Sequence, residues 1–287
     1  MAGTSDREDT SAAVVPSAEV VEGIQSLHER MDELHRLIAV RLEAETEHAG
    51  SWLHEHADVA HHRPRLPAWC RPTKGEMRWP VAITTAIGIA LQVAVPDKLV
   101  LVNPKWVLPA VQGVLLIVLV ASNPHRINRE SGALRSLSLV LAALLSLANG
   151  WSVALLAIGI TRGTMGQNAK QLLITGGVIY LTNVIAFALW YWEFDRGGPV
   201  ARALNLQTQY PDFQFPQMTS PQEMVPPDWE PGFIDYLYVA FTNAVAFSPT
   251  DTMPLSRWAK LAMTVQSIIS VMTVTLVVSR AINVLPG

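Results

Sequence analysis

The chain holds a single cysteine, Cys70, so an intrachain disulfide framework is excluded. It has no CxxC pair and no Cys/His finger spacing, which removes the common structural zinc sites. Charge is also scarce: only 16% of the 287 residues are charged, while 50% are apolar. A soluble domain carries roughly 25% charged residues. The deficit is concentrated in residues 81–285, which marks a membrane protein. The formal net charge of −3 is too small to suggest a nucleic-acid partner. The cores of the apolar runs lack Asp, Glu, Lys, Arg and His altogether. Intramembrane ionisable groups mark voltage sensors and proton relays, so an Arg-bearing sensor is excluded and proton-coupled transport is disfavoured. No nucleophile–base constellation, nucleotide-binding glycine loop or metalloprotease motif occurs, so neither enzymatic activity nor a cofactor is expected.

What is present falls into four stretches. Residues 1–16 open with MAGTSDREDTS, polar and without an apolar core behind it, so a disordered tail and no secretory signal are expected. Residues 17–62 predict a long amphipathic helix. Val20, Ile24, Leu27, Met31, Leu34 and Ile38 alternate at spacings of four and three, the a/d seam of a coiled coil. The seam fades at Arg41 and His48. The same helix packed on its own membrane domain is the alternative. Seven of the eight histidines lie here, and His54, Asp58 and His61 share one helical face at i, i+4, i+7, a weak metal-ligand candidate. Histidines on a solvated helix are the commoner case, and a pH-responsive coil is a further reading.

Residues 63–79 form a basic, Pro-rich linker carrying Arg63, Arg65, Arg71, Lys74 and Arg78. The transmembrane domain, 80–287, follows, with spans expected at about 81–95, 106–121, 134–160, 171–192 and 261–284. Trp79, Trp106, Trp190, Trp192 and Trp258 mark span ends, as an aromatic belt would. Trp151, with Asn149 and Gly150, lies inside the third span and predicts a helix–helix contact. Gln92, Gln112, Asn149, Asn183 and Gln266 are the polar residues left in the spans, and interhelical hydrogen bonding is their expected role.

Between the fourth and fifth spans lies a loop of about forty residues, 193–232, with seven prolines. It carries Glu193, Asp195, Asp212, Glu223, Asp228 and Glu230 against Arg196 and Arg202. A loop of this length is usually functional or disordered. FIDYLYVAFTNA, residues 233–244, then predicts a helix of about 18 Å, half a bilayer. Non-helical backbone at 247–251 follows, tolerated at membrane depth only where it is buried in protein or lines water. Helix, turn and spanning helix together predict a re-entrant hairpin, 233–251.

In its order of elements this region resembles the pore domain of the potassium-channel superfamily. Residues 171–192 stand as outer helix, 233–244 as pore helix and 261–284 as inner helix. Ala244, Val245, Ala246, Phe247 and Ser248 stand where the family has Thr-Val-Gly-Tyr-Gly. Asp251, Pro254, Ser256 and Arg257 resemble the Asp-x-x-Pro run that follows the filter. The resemblance covers about 115 residues and implies a homotetramer around one pore. The filter glycines are replaced by Ala246 and Ser248, and a residue with a Cβ pays ~1 kcal/mol or more in the left-handed conformations a filter uses. Pro249 fixes φ and removes a donor. Potassium selectivity is therefore not carried over. If ions pass, the side chains of Ser248, Thr250 and Asp251 would do more of the work, and a ring of Asp251 would favour cations.

The same letters also fit a sealed relative, in which Ser248 to Asp251 form a turn and Asp251 or Ser256 caps the last helix. Two functions thus stand from the sequence. One is an ion-channel-like pore protein for monovalent cations, without a charged voltage sensor. The other is a non-conducting membrane scaffold or sensor that recruits a cytoplasmic partner through residues 17–62. Both are all-α integral membrane proteins of the cell membrane with a cytoplasmic N-terminus. The positive-inside rule places the linker and Arg126, Arg129 and Arg135 in the cytoplasm. With five full spans it also places loop 193–232 there, whereas the channel resemblance requires that loop outside.

Overall fold

The computed structural model describes residues 18–55, 66–127, 131–205, 210–245 and 251–284. The chain divides into two compact units, Met1–Arg65 and Leu66–Gly287. The first contains one helix, α1 (Ala18–Glu55). The helix was expected to run to residue 62, and residues 56–62 lie outside the described residues. Within it the seam residues Leu27, Met31, Leu34 and Ile38 are exposed.

The second unit consists of α2 (Trp79–Val93), α3 (Val107–Ser122), α4 (Gly132–Thr161), α5 (Ala169–Phe194), α6 (Pro199–Leu204), α7 (Phe233–Val245) and α8 (Arg257–Val284). Short 3₁₀ turns join several of them. The only strand pairing among the described residues is two residues long, β1 (Phe213–Gln214) antiparallel to β2 (Met253–Pro254). The fold is therefore all-α. Among the described residues three helices are long and apolar enough to cross a membrane: Gly132–Thr161, α5 counted on to Leu204, and Arg257–Val284. α2, α3 and α7 are also apolar but have 15, 16 and 13 residues. At 1.5 Å per residue they reach only ~20–24 Å, against a hydrocarbon core of ~30 Å.

α5 is central, packed against α2, α4, α7 and α8. Its sequence explains this position. It has no polar stripe, and a helix apolar all round is a core helix. Five successive residues, Thr182, Asn183, Val184, Ile185 and Ala186, are all buried. In lipid, burial of apolar surface does not drive helices together, so close packing and interhelical hydrogen bonds must do so. Both are present between α5 and α8. Asn183 Nδ2 donates to Ser270 Oγ at 3.0 Å, and Tyr191 Oη donates to Gln266 Oε1 at 2.6 Å. Asn149 Nδ2 adds a longer bond to Asn183 Oδ1 at 3.5 Å, from α4. Gln92 and Gln112 depart from the expected role. Both are buried, and neither the Gln92 amide nitrogen nor either Gln112 amide atom has a hydrogen-bond partner among the described residues.

Two tryptophans also depart from expectation. Trp151 is 46% exposed on the outer face of α4 rather than at a helix contact. A Cβ on the adjacent Gly150 would meet nothing, so no neighbour approaches there. Trp192 is buried and donates its ring N–H to Glu76, so it belongs to the core and not to a belt.

Several chain segments converge at one end of the bundle. Arg78 N donates to the His125 carbonyl and Ile127 N to the Glu76 carbonyl, both at 3.0 Å, which closes the α2–α3 hairpin. The start of α4 reaches the end of α5 through Ser138 and Glu193. Phe233, at the start of α7, donates its N–H to Glu76, and Trp258, at the start of α8, donates to Asp212. The basic linker, the α3–α4 turn and the long acidic loop thus share one polar end.

α5 and α8 approach closely at Gly176, where an added Cβ would lie 2.7 Å from Val277 Cγ1. Gly176→Val is expected to cost about 1–3 kcal/mol through overpacking. Gly177→Ala, where a Cβ meets nothing, is expected to be neutral. Thermal unfolding of the two variants in detergent measures the difference, and equal losses would refute the close contact.

Candidate functional site

Two features stand out as sites: the segment that enters and leaves the bundle at the polar end, and the charged cap over it. α7 begins beside Glu76 and ends beside the middle of α8. There Asn243 Nδ2 donates to the Met263 carbonyl at 2.9 Å and to Gln266 Oε1 at 2.7 Å. Gln266 Nε2 donates to the Ala240 carbonyl at 2.8 Å, and Ser267 Oγ bonds Asn243 at 3.2 Å. By Met253 the chain is back at the polar end, paired with Gln214, and Leu255 N donates to the Asp212 carbonyl at 2.8 Å. The chain therefore descends along α7 and returns to the same end. Ser256 accepts from Ala259 N at 3.3 Å and caps α8.

Of the filter-like residues, Ala244 is buried and Val245 half-buried as the last residues of α7, and Asp251 is exposed. Ala246, Phe247, Ser248 and Thr250 lie outside the described residues. Of the metal candidates, His54 lies on α1, while Asp58 and His61 lie outside the described residues. Among the described residues no cluster of His, Cys, Asp and Glu suited to a metal forms. Burial raises the thiol of Cys70 above its ordinary value, against a smaller opposing pull from Arg196, so it is not an activated nucleophile.

The cap was not apparent from the sequence as a unit. After α5 the backbone of Arg196, Gly197 and Gly198 takes positive φ in succession, and the chain reverses into α6. Gly198, at φ 98°, lies where a Cβ would come within 3.0 Å of the Glu193 carbonyl. The reversal brings Arg202 under the end of α5. Its guanidinium donates to the carbonyls of Trp192 (2.7 Å) and Asp195 (2.9 Å) and to Glu76 Oε1 (2.8 Å). It also lies 5.0 Å from the Tyr236 ring centroid. Glu76 Oε2 accepts from Trp192 Nε1 and Phe233 N, both at 2.9 Å. Asp195 is fully buried. It accepts from Tyr236 Oη at 2.5 Å and from Asp212 N at 2.8 Å. Asp212 in turn accepts from Arg196 N at 3.0 Å and Trp258 Nε1 at 2.7 Å. Phe213 and Phe215 fill the space beneath, against Tyr191, Tyr236 and Trp258.

Within loop 193–232, Glu193, Asp195, Arg196, Arg202 and Asp212 thus bond inward, while Glu223 and Asp228 are exposed. In the cap the Glu76, Asp195 and Asp212 carboxylates all accept from fixed donors, while Arg202 Nε has no hydrogen-bond partner among the described residues. The readable signal was aromatic: Phe213, Phe215 and Trp229 in a loop need burial, and the nearby charges must then be paired. No family model matches the chain, and comparisons with curated proteins and with solved structures return no match either.

Removing one partner of a buried ion pair strands the other. Arg202→Met is expected to destabilise by about 3–5 kcal/mol, and adding Glu76→Gln is expected to restore much of that loss. A double-mutant cycle by thermal unfolding measures this, and additive losses would count against the pair.

A second expectation concerns pH. Burial raises the Glu230 carboxyl above its ordinary value; a hydrogen bond from Thr73 opposes this, and the charge of Glu76 adds to it. A group raised on folding contributes its stability below the ordinary carboxylate range and loses it as pH rises through the folded-state value. Glu230→Gln is therefore expected to be more stable than wild type at pH 8 and to lose that advantage by pH 4. Melting curves of both proteins across this range test the sign.

Proposed function

We propose that the chain is a channel-like pore protein of the cell membrane. Four copies would surround one cation pathway, without a charged voltage sensor. The observation that carries this reading is the descent and return of the chain between Phe233 and Met253, held between α5 and α8. A short helix that stops beside the middle of a longer one, with its chain returning to the same face, is the arrangement a pore loop needs. In this reading α2 and α3 also cross, as a thin hairpin, giving five spans. Asp251, exposed at the return, supplies the charged ring. The seam of α1 joins the copies, and its exposed Leu27, Met31, Leu34 and Ile38 favour that role.

The pore would enter from the cytoplasmic side. Arg71, Lys74, Arg78 and Arg126 share the polar end with loop 193–232, and the positive-inside rule assigns that end to the cytoplasm. The direct analogy to the potassium-channel superfamily places the corresponding loop outside. The proposed pore is therefore inverted relative to that family.

One observation favours the second reading, a sealed scaffold that recruits a cytoplasmic partner through residues 17–62. The polar atoms at the end of α7 are already engaged within one protomer, by Met263, Gln266 and Ser267. Flux of K⁺, Na⁺ and Cl⁻ into liposomes holding the purified protein separates the two. Cation flux that drops severalfold in Asp251→Asn is the expected result. Absence of any flux from a crosslinked tetramer would overturn the pore and leave the scaffold. Protease protection of loop 193–232 is expected to find it cytoplasmic.

A further inference from the structure

A cavity of about 180 Å³ opens at the polar end, among the ends of α3, α4 and α5 and the start of α6. At ~30 Å³ per water it has room for about six waters. Two arginines line it, Arg78 from the start of α2 and Arg135 from the first turn of α4, with Ser138 and Glu193 opposite. Arg78 is only 7% exposed, and its Nε has no hydrogen-bond partner among the described residues. A buried guanidinium with an open donor is costly unless an acceptor reaches it.

The local charge does not balance. Arg78, Arg135 and Arg202 all act on the Glu193 carboxylate, which also accepts from Ser138. Arg202 is already matched by Glu76. Among the described residues Arg78 and Arg135 therefore share one carboxylate, leaving a surplus of one positive charge at the cavity wall. The remaining lining is apolar, including Leu119, Leu134, Trp192 and Pro199. A second, narrower crevice shares Arg78, Leu119, Ser138 and Trp192 with it and continues along Val81 and Leu116.

We propose that this cavity binds a phosphate-bearing anion, supplied by the headgroup of an anionic phospholipid. Arg78 and Arg135 take the phosphate oxygens, a role suited to the forked guanidinium donor. The apolar crevice takes the first part of an acyl chain, which a soluble phosphate would leave empty. The site serves to seat an annular lipid at the α2–α4 face, and it stands whether or not ions pass through the protein.

The test titrates the detergent-purified full chain with short-chain phosphatidylglycerol, with phosphatidylcholine of the same chain length and with inorganic phosphate. Retained lipid is read by native mass spectrometry and stability by the shift in Tm. Phosphatidylglycerol is expected to bind and raise Tm, with phosphatidylcholine at least severalfold weaker. Arg135→Gln, on an exposed residue, keeps the fold and is expected to weaken binding about tenfold, the worth of one charge-assisted hydrogen bond. Leu119→Trp fills the cavity without touching charge and is expected to abolish retention. Competition by inorganic phosphate with no preference for phosphatidylglycerol would keep the anion site and overturn the lipid as its source. Equal binding of both lipids, unchanged in Arg135→Gln and Leu119→Trp, would overturn the site.

Discussion

The Glu76 carboxylate holds together chain segments that are far apart in sequence. One oxygen accepts from Arg202, and the other from the Trp192 ring and the Phe233 amide. Those three donors belong to α6, the end of α5 and the start of α7. Glu76 itself sits just before α2 and pairs its backbone carbonyl with Ile127 beyond α3. A buried carboxylate is unfavourable unless its lone pairs are filled, so this arrangement tolerates few alternatives. Its value lies less in net energy than in register: moving any one segment would leave a charge without its partner. The Asp195 cluster repeats this design a few ångströms away, joining the end of α5 to Tyr236 and, through Asp212, to Trp258.

Below the cap the problem is different. The helices lie among their own kind of surface, so apolar contact between them gains little over contact with lipid. What distinguishes one packing from another is shape and the few polar atoms available. Gly176 lets α8 come close to α5. Tyr191, Gln266, Asn243, Asn183 and Ser270 then form a line of hydrogen bonds along the same α5–α7–α8 seam. The Gln92 amide nitrogen and both Gln112 amide atoms, without partners among the described residues, belong to the α2–α3 hairpin.

The three long apolar helices, α4, α5 and α8, were legible in the sequence because charge depletion and length decide them, and their ends lie within a few residues of the expected ones. Ser256 as the cap of α8 and the bonding roles of Asn183 and Gln266 were legible for the same local reasons. The cap was not. Its members, Glu76, Arg202, Asp195, Tyr236 and Asp212, are separated by up to 160 residues, and no periodicity links them. The loop was read as acidic and as functional or disordered because a count of charges does not show which are paired. The three successive positive-φ residues at 196–198 that turn Arg202 inward were also hidden, since only two of them are glycines.

The cap also fixes the depth at which the rest of the unit can sit. A set of buried ion pairs this dense belongs at the membrane interface, where water can reach its rim, and not within hydrocarbon. With the cap at the interface, the 13 residues of α7 carry the chain inward by ~20 Å. Asn243 and its bonds to Met263 and Gln266 then lie inside the bundle, away from the cap. There an unpaired amide is most expensive, and there the amide of Asn243 is satisfied by α8. The charged lid at one end and the amide pair at the turning point are therefore two parts of one solution. The first holds the start of α7 and the chain at Met253 together, and the second ties the end of α7 to α8.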